Sequence, residues 1–291
     1  MLGEYLFNES SAMYCTSVLL VDHGVESRAE YAYAFERRGF TVVRWEDDLA
    51  FRIGWEDALK AGEKLAVIAS DDAYVPYDLA QLMQRYDVSL GGLFPKLDTA
   101  TLRAADGLDL DFLAVAYERD YVYPSDAKAT RAYLETRVNV QETAERVCDE
   151  LEGELVRLTS VAAGYRGWIA VAQLKARIDV TRARYGIERS TNELTDGAFR
   201  DFVVSKFGQL TMEYAEETPV LVSSAMEYMR TRSDRFAIVV MDGMSEFDWR
   251  VLRESFAGIP YEESAAFAMV PTVTSLSRQS LLSGKYPRDL A

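Results

Sequence analysis

Short apolar runs alternate with amphipathic stretches over the first 125 residues. The runs of strand length are SVLLVD (17–22), TVVRW (41–45) and LAVIAS (65–70). The stretches with apolar side chains at helical spacing are residues 27–40, 48–62 and 77–86. Strands that alternate with helices predict a parallel sheet with helices on both faces. We therefore expect residues 1–125 to form a receiver-like parallel α/β domain.

The pattern changes near Pro124. Residues 126–232 carry almost no strand signal, and their apolar side chains recur every three or four residues, as in KATRAYLETRVNVQETAERVCDELEGELVRL. Glycines interrupt this pattern at positions 164, 167 and 186, so that separate antiparallel helices are predicted. The same pattern continues through residues 199–219 and 220–232. We expect a helical middle region.

Strand signals return in the last part of the chain. Residues 236–241, FAIVVM, have the composition of a strand buried on both faces, and Asp242 and Gly243 follow directly. A carboxylate at a strand tip, followed by a glycine that allows close approach, is a candidate ligand for a divalent metal. Asp-Gly is also a common turn dipeptide. A helix is predicted at residues 245–256 and a second strand at 263–271.

Composition and charge limit the partners. Acidic residues outnumber basic ones by 47 to 32, and the formal net charge is -15. Such a surface repels phosphate backbones, and no Lys/Arg-rich run is present, so direct nucleic-acid binding is not expected. Cys15 and Cys148 lie far apart without metal-binding spacing, which fits a reducing compartment. The N-terminal apolar stretch lacks a basic flank and is too short to span a bilayer, so we expect a cytoplasmic protein without a membrane anchor.

Acidic residues follow two of the predicted N-terminal strands. They are Asp22, and Asp71 with Asp72. Because ligands bind at the carboxyl edge of a parallel sheet, a phosphoacceptor or divalent-metal pocket is one interpretation. Capping of the following turns is the favoured alternative. His23, the single histidine of the chain, is expected to be a turn residue, because the spacing supplies no partners for a metal site.

The sequence PTVTSLSRQSLLSGKYP, at residues 271–287, contains the signals for the start and the end of a helix. Gly284 suits the position after a helix, and Pro287 prevents its continuation. The Thr274 hydroxyl would lie near unpaired backbone N–H groups and the positive end of the helix dipole. That position favours an alkoxide nucleophile and a bound phosphate. Ordinary helix capping is the other interpretation of Thr274, and the one expected of this chain by itself.

These motifs resemble the opening half of the alkaline phosphatase superfamily: Asp-Gly after a strand, then Pro-x-x-Thr and a helix that ends in small-Gly-x-x-Pro. The sulfatase branch has a comparable run, matched here by Ser277, Arg278, Leu281, Leu282, Gly284, Tyr286 and Pro287. Thr274 stands where sulfatases place the Cys or Ser that becomes formylglycine. A threonine cannot be converted in that way, which points to phosphate chemistry.

Within the superfamily the chain is most similar to the PglZ family, a proposed phosphatase component of BREX phage-defence systems. The similar segments are VVMDGMSEFDW, VPTVTSLSR, LLSGKYP and the upstream LAFRIGWEDALKAGEKLAVIASDDAYVPYDL. The resemblance implies that residues 233–291 are the start of an alkaline-phosphatase-like domain. It also implies other phage-defence proteins as partners.

The resemblance implies roles for two residues. Asp242 would be a metal ligand, and Thr274 would be the nucleophile, bound as alkoxide to the same metal and forming a phosphothreonine intermediate. The implied cofactor is a divalent metal, two Zn²⁺ in the complete protein. Arg278, one helical turn after Thr274, would either reach a phosphate oxygen or form an exposed salt bridge.

One departure from the family changes the expectation. Superfamily members complete a two-metal centre with later Asp and His ligands, but no histidine follows His23 here. We hypothesise that the chain is the truncated N-terminal portion of a longer protein, without bound metal and without phosphatase activity. Such a truncation would expose sheet edges and apolar helix faces at this end of the chain. We expect this end to pack against the helical region, to lie in a homodimer interface or to be poorly ordered. The alternative function is a non-catalytic scaffold or regulatory module in a defence or signalling complex.

Overall fold

The computed structural model describes residues 1–45, 48–213, 218–256 and 258–289. Contacts divide the chain into two compact units, Met1–Val147 and Cys148–Ala291. The division lies inside a helix that continues from one unit into the other. The predicted domain boundaries, at residues 125 and 232, therefore remain predictions.

Four parallel strands form one sheet within the described part of the first unit. They are β1 (Ser17–Asp22), β2 (Phe40–Arg44), β3 (Lys64–Ser70) and β4 (Gln84–Val88). The order across the sheet is β2-β3-β1-β4, with Leu19 beside Val67 and Val42 beside Ala66. The predicted parallel α/β class is confirmed, and β1 to β3 coincide with the predicted strands to within a residue.

Two details of the sheet differ from the prediction. Residues 77–86, predicted as one helix, form the short helix α4 (Tyr77–Ala80) and then enter β4. β4 pairs along β1, so that tertiary pairing overrides the local helical pattern. The strand order also differs from the 2-1-3-4-5 order of receiver folds, because β3 rather than β1 pairs with β2. The sheet is therefore not receiver-like in its topology.

The helices of the first unit cover both faces of the sheet. Besides α4 they are α1 (Leu2–Glu9), α2 (Ala32–Glu36), α3 (Asp48–Ala61), α5 (Leu90–Leu93), α6 (Thr99–Ala104), α7 (Leu110–Arg119) and α8 (Ala127–Tyr133). Two hydrogen bonds between a backbone group and a side chain hold α1 in place. The Leu2 amide donates to Asp111 Oδ1 at 2.8 Å, and the Tyr5 hydroxyl donates to the Leu93 carbonyl at 2.6 Å.

Alternate strand residues fill two cores on opposite faces of the sheet. On one face, Leu19 and Val67 belong to a cluster that contains the rings of Phe51 and Trp55 from α3. On the other face three aromatic rings meet edge to face with centroids 5.2 to 6.0 Å apart, those of Phe7, Phe35 and Phe40. Burial of each such side chain contributes about 1.5–3 kcal/mol, so both faces stabilise the sheet.

The second unit is mainly helical. Its helices are α9 (Gln141–Val161), which begins in the first unit, α10 (Tyr165–Tyr185), α11 (Asn192–Leu210), α12 (Ala225–Arg232), α13 (Glu246–Leu252) and α14 (Thr274–Ser283). α11 ends within the predicted helical stretch 199–219, of which residues 214–217 lie outside the described residues. In the described ranges, no helix combines the length and the apolar character required for crossing a membrane.

A buried arginine joins α9 to α10. The Arg182 side chain is 3% exposed and forms an ion pair with Glu152. One of its nitrogens also donates to the Arg189 carbonyl at 3.0 Å, and the Arg189 guanidinium contacts Glu152 at 2.6 Å. Burial, together with the neighbouring Arg189, lowers the pKa of Arg182, so the Glu152 carboxylate is needed to compensate the buried charge.

The predicted C-terminal strands are largely absent. Residues 236–241 pair with no strand in the described chain, and Val239 is 84% exposed. The prediction of a buried strand is wrong here because none of the described residues offers it a neighbouring strand. At 263–271, only a parallel bridge between Leu221 and Phe267 is present. The Phe267 amide donates to the Val220 carbonyl at 2.9 Å.

Replacing Glu152 with Gln should lower the free energy of unfolding by about 3–5 kcal/mol, because the buried Arg182 charge loses its carboxylate. The matched control is Glu254→Gln. Glu254 is the partner of Arg184, which lies on the same helix as Arg182, and both side chains of this pair are more than half exposed. Its expected loss is below about 1 kcal/mol. Urea unfolding followed by circular dichroism compares the two, and equal losses would contradict a structural role for the buried pair.

Candidate functional site

The helix that carries the predicted nucleophile begins at Thr274 itself. The residue before it, Val273, is the N-cap, with φ -99° and ψ 130°. No side chain caps the first turn, and the exposed Thr274 side chain lies inside the helix rather than before it. The expectation that Thr274 caps its helix is therefore wrong, because a capping hydroxyl must stand one residue earlier.

Contacts within the second unit fix the position of α14. Ser280, on the inner face of the helix, is fully buried, and the helix packs on the turn Val222–Ser224. Gly284 ends the helix in the left-handed region at φ 70°, as the sequence predicts. The Tyr286 hydroxyl then donates to the Thr211 carbonyl at 2.9 Å. These contacts leave the first turn of α14 open to solvent.

Asp242 lies against the exposed face of α14. It forms a turn with Gly243, whose φ of 69° is accessible to glycine at little cost. Asp242 Oδ2 lies 3.4 Å from an Arg278 guanidinium nitrogen, and both side chains are more than half exposed. Arg278 is one helical turn after Thr274 and shares its face. The structure thus brings the predicted ligand to the helix of the predicted nucleophile.

The residues around Asp242 do not by themselves fit a metal centre. Among the described residues, no group of three or more His, Cys, Asp or Glu side chains could hold a metal ion. One Asp242 oxygen already contacts a cation, Arg278, in place of a second carboxylate. Asp242 and Thr274 supply one carboxylate and one hydroxyl, which is fewer than the three protein ligands typical of a catalytic zinc site.

The helix that follows Asp242 is well defined at its start. Ser245 caps α13, since its hydroxyl accepts from the Asp248 amide at 3.3 Å while Asp248 accepts from the Ser245 amide at 2.9 Å. The Ser245 hydroxyl also donates to Asp248 Oδ2 at 2.6 Å, and this bond, followed by the bond from the Ser245 amide, lowers the pKa of Asp248. This capping box fixes the direction in which the chain leaves the Asp242 turn.

A second set of candidate residues lies at the carboxyl edge of the sheet in the first unit. Asp22, at the end of β1, accepts hydrogen bonds from the amides of Gly24, Val25 and Glu26 at 2.9 to 3.2 Å. It also accepts one from the Tyr31 hydroxyl at 3.1 Å. These donors surround the Asp22 carboxylate. The capping interpretation of Asp22 is confirmed by this geometry.

The structure gives His23 two carboxylate partners. Its Nδ1 lies 3.3 Å from Asp71 Oδ2 and its Nε2 lies 3.6 Å from Asp87 Oδ1. Hydrogen bonding to Arg85, and to a smaller extent the contact with His23, lowers the pKa of Asp87. The Asp72 carboxylate accepts a hydrogen bond from the Ser70 hydroxyl at 2.6 Å, at the end of β3.

Asp87 is the residue that the sequence analysis misses. It lies in β4, one residue after the stretch 77–86 predicted as a helix, and β4 places it next to the end of β1. The detectable signal is the alternation over residues 84–88, in which exposed Arg85 and Asp87 alternate with the more buried Tyr86 and Val88. The cluster of His23 with two carboxylates is a consequence of sheet order, which local patterns do not encode.

A comparison of the chain with protein-family models, with curated proteins and with solved structures found no match.

Replacing Asp22 with Ala should lower the free energy of unfolding by about 2 kcal/mol, since three backbone amides and a buried tyrosine hydroxyl lose their acceptor. Asp71→Ala is the matched control at the same sheet edge. Its contact with His23 is solvent-exposed, so the expected loss is below about 1 kcal/mol. Urea titration monitored by fluorescence measures both variants. A larger loss for Asp71→Ala would contradict the structural role of Asp22.

Proposed function

We propose that this chain carries the nucleophile and one metal ligand of a metal-dependent phosphatase or phosphodiesterase of the PglZ type, acting in a bacterial phage-defence system. The supporting observation is the contact between Asp242 and Arg278, residues 36 positions apart in the sequence. It joins the carboxylate and the helix that the resemblance to the alkaline phosphatase superfamily singles out. Partners in the defence system, and an alkaline-phosphatase-like architecture for residues 233–291, belong to the same proposal.

The first turn of α14 suits a phosphate ester. α14 is ten residues long, and its first intrahelical acceptor, the Val273 carbonyl, receives the amides of Leu276 and Ser277. The amides of Thr274 and Ser275 come before these donors and are available to an anion, where the helix dipole favours negative charge. Arg278 adds a full positive charge one turn further along the same face.

The proposed reaction uses the Thr274 hydroxyl oxygen. This oxygen forms a bond to phosphorus while the bond from phosphorus to the leaving alcohol breaks, and the hydroxyl proton passes to that alcohol. Water then attacks phosphorus, and the threonine oxygen leaves with a proton from that water. An exposed hydroxyl is a weak nucleophile. A divalent metal, when bound, lowers the pKa of such a hydroxyl and neutralises developing charge.

Metal-dependent catalysis requires a change in the contacts of Asp242. Asp242 must release Arg278 and bind the metal instead. The metal also needs further carboxylate or imidazole ligands, and the described residues contain no group of three such side chains that could hold it. The released Arg278 would then be free to contact phosphate oxygens, which is the role of arginine in planar recognition of such groups. One salt bridge between exposed side chains costs little to break.

A non-catalytic scaffold is the second candidate function. The observation that favours it is the same contact, because Arg278 neutralises Asp242 without any metal. The exposed apolar residues Ile238, Val239 and Val240 add surface on which another protein could pack. In this alternative Thr274 has no chemical role, and the two candidates differ in what the Thr274→Ala variant does.

Thr274→Ala is expected to reduce hydrolysis of bis-p-nitrophenyl phosphate on the order of a thousandfold or more, because the nucleophile is removed. The measurement uses the protein purified from the cells that produce it, with its metal content determined in parallel. Ser275→Ala is the matched control, since its side chain is the neighbouring hydroxyl and its amide is retained. Full activity of Thr274→Ala, or a protein with neither metal nor hydrolysis, would support the scaffold instead.

The 291-residue chain by itself is expected to hydrolyse this substrate no faster than buffer, with or without added Zn²⁺. Its described residues do not group enough ligands to hold the metal. Zinc-dependent turnover by this chain that is lost in Thr274→Ala would contradict the demand for further ligands, while it would leave the assigned nucleophile intact.

A further inference from the structure

The single histidine of the chain lies between two strand ends of the sheet. His23 directly follows β1, and Asp71 directly follows β3, the neighbour of β1. The chain leaves these two strands toward opposite faces, because Phe35 of α2 packs on one face and Leu79 of α4 belongs to the core of the other. Such a divergence opens a crevice at the carboxyl edge of a parallel sheet. The contact between His23 and Asp71 spans this crevice.

Both ring nitrogens of His23 face a carboxylate. Nδ1 lies 3.3 Å from Asp71 Oδ2, and Nε2 lies 3.6 Å from Asp87 Oδ1 in β4. The His23 amide also donates to the Val88 carbonyl at 2.9 Å, so that backbone bonding holds the residue at the end of β4. One side chain thus joins residues at the ends of three neighbouring strands, in the order β3-β1-β4.

The protonation state of the imidazole ring decides whether both contacts are favourable. A neutral ring carries one N–H donor and one lone pair, whereas a protonated ring carries two N–H donors. An ionised carboxylate only accepts hydrogen bonds. With a neutral ring, one of the two contacts therefore sets a lone pair against a carboxylate oxygen. Only the protonated ring complements Asp71 and Asp87 at the same time.

Other acidic side chains at this sheet edge have partners of their own. Backbone amides donate to Asp22, the Ser70 hydroxyl donates to Asp72, and the Arg44 guanidinium pairs with Glu26. These partners leave the two carboxylates that face the ring, Asp71 and Asp87, as the acidic groups in contact with His23.

One basic side chain competes with His23 for Asp87. The Arg85 guanidinium lies 2.8 Å from Asp87 Oδ1, the same oxygen that faces Nε2 of the ring. Hydrogen bonding to Arg85, and to a smaller extent the contact with His23, lowers the pKa of Asp87. Asp87 is therefore a carboxylate at neutral pH, and Arg85 remains as its partner when the ring is neutral.

We propose that His23, Asp71 and Asp87 form a pH-dependent clasp that closes the crevice when the His23 ring is protonated. The protonated ring joins the loop between β3 and α4, residues 71–76, to β4. Loss of the proton leaves the ring with one carboxylate, while Arg85 retains Asp87. The loop and the end of β4 then separate more often. The clasp lies in the first unit and shares no residue with the phosphoesterase proposal.

The direction of the pH effect follows from the complementary form of the ring. The protonated ring favours the closed crevice, so the closure is present below the ordinary titration range of histidine, about pH 6.5, and weakens as pH rises through it. The three side chains are 35 to 57% exposed, so solvent limits the effect to that of an exposed ion pair. We expect a change of about threefold in the opening equilibrium.

Amide hydrogen exchange measures this opening. NMR of the unmodified chain, free of any histidine tag, compares about pH 5.5 with about pH 7.5, on either side of the ordinary histidine range, after correction for the intrinsic effect of pH. The reporters are the amides of His23 and Ala73, which donate to the carbonyls of Val88 and Ser70. Their protection should be about threefold lower at the higher pH.

Three variants assign the effect to the clasp. His23→Gln keeps a polar side chain that does not titrate, so it should abolish the pH difference. Asp71→Asn should reduce it, because an asparagine amide can donate to the lone pair of the neutral ring. Asp72→Asn is the matched control, since it neutralises the next carboxylate of the same loop, whose partner is Ser70, and it should retain the difference.

Nitrogen-15 NMR of the imidazole ring gives a second readout, and it needs no assignment because His23 is the single histidine. The neutral ring should hold its one proton on Nδ1, beside the nearer carboxylate of Asp71. Asp71→Asn should move that proton to Nε2, where Asp87 accepts it. A merely structural role of Asp71 would not move the proton between the two nitrogens.

Three results would overturn the proposal. Equal protection at the two pH values in the unmodified chain would show that protonation of the ring does not close the crevice. A pH difference that persists in His23→Gln, or that Asp72→Asn removes as completely as Asp71→Asn, would assign the effect to other groups. A neutral ring with its proton on Nε2 in the unmodified chain would mean that the contact with Asp87 is retained, which contradicts the release of β4.

Discussion

The buried ion pair between Arg182 and Glu152 is the contact on which the packing of α9 against α10 depends. A charge buried to this degree is tolerated only with a carboxylate beside it, and Glu152 supplies that carboxylate from α9. The pair fixes α9 against α10. α10 in turn packs on α13, the helix that begins directly after the Asp242 turn. The pair therefore stabilises the helix on which α13 packs, and α13 begins shortly after the Asp242 turn.

Local patterns in the sequence were sufficient for elements that an apolar run or a terminating glycine marks directly. β1, β2 and β3 have strand-like apolar runs, and α10 and α14 end at glycines that adopt the left-handed conformation. β4 could not be predicted in this way, because its pairing with β1 decides its conformation. The same limit explains Asp87, which reaches His23 only through the order of strands across the sheet.

Residues 236–241 show the opposite error. Their composition predicts a buried strand, yet Val239, Val240 and Met241 are at least half exposed, because a strand needs a neighbour as well as a suitable sequence. For the candidate site, local signals correctly indicated a helix start near Thr274 and a turn at Asp242. They did not indicate that Arg278 would join the two, since that contact depends on how α14 docks on the turn Val222–Ser224.

The proposed phosphoesterase activity requires two changes around Asp242. The first is chemical: Thr274 and Asp242 are exposed, and an exposed hydroxyl has little nucleophilic power. The second is structural: the apolar run that leads to Asp242 is uncovered. A strand packed along residues 236–241 would bring about both, because it would bury the run and bring its own end next to Asp242. Lower dielectric there would strengthen each remaining electrostatic contact to a bound phosphate. Under the proposed function, catalysis therefore depends on a strand paired with residues 236–241 as well as on Thr274 itself.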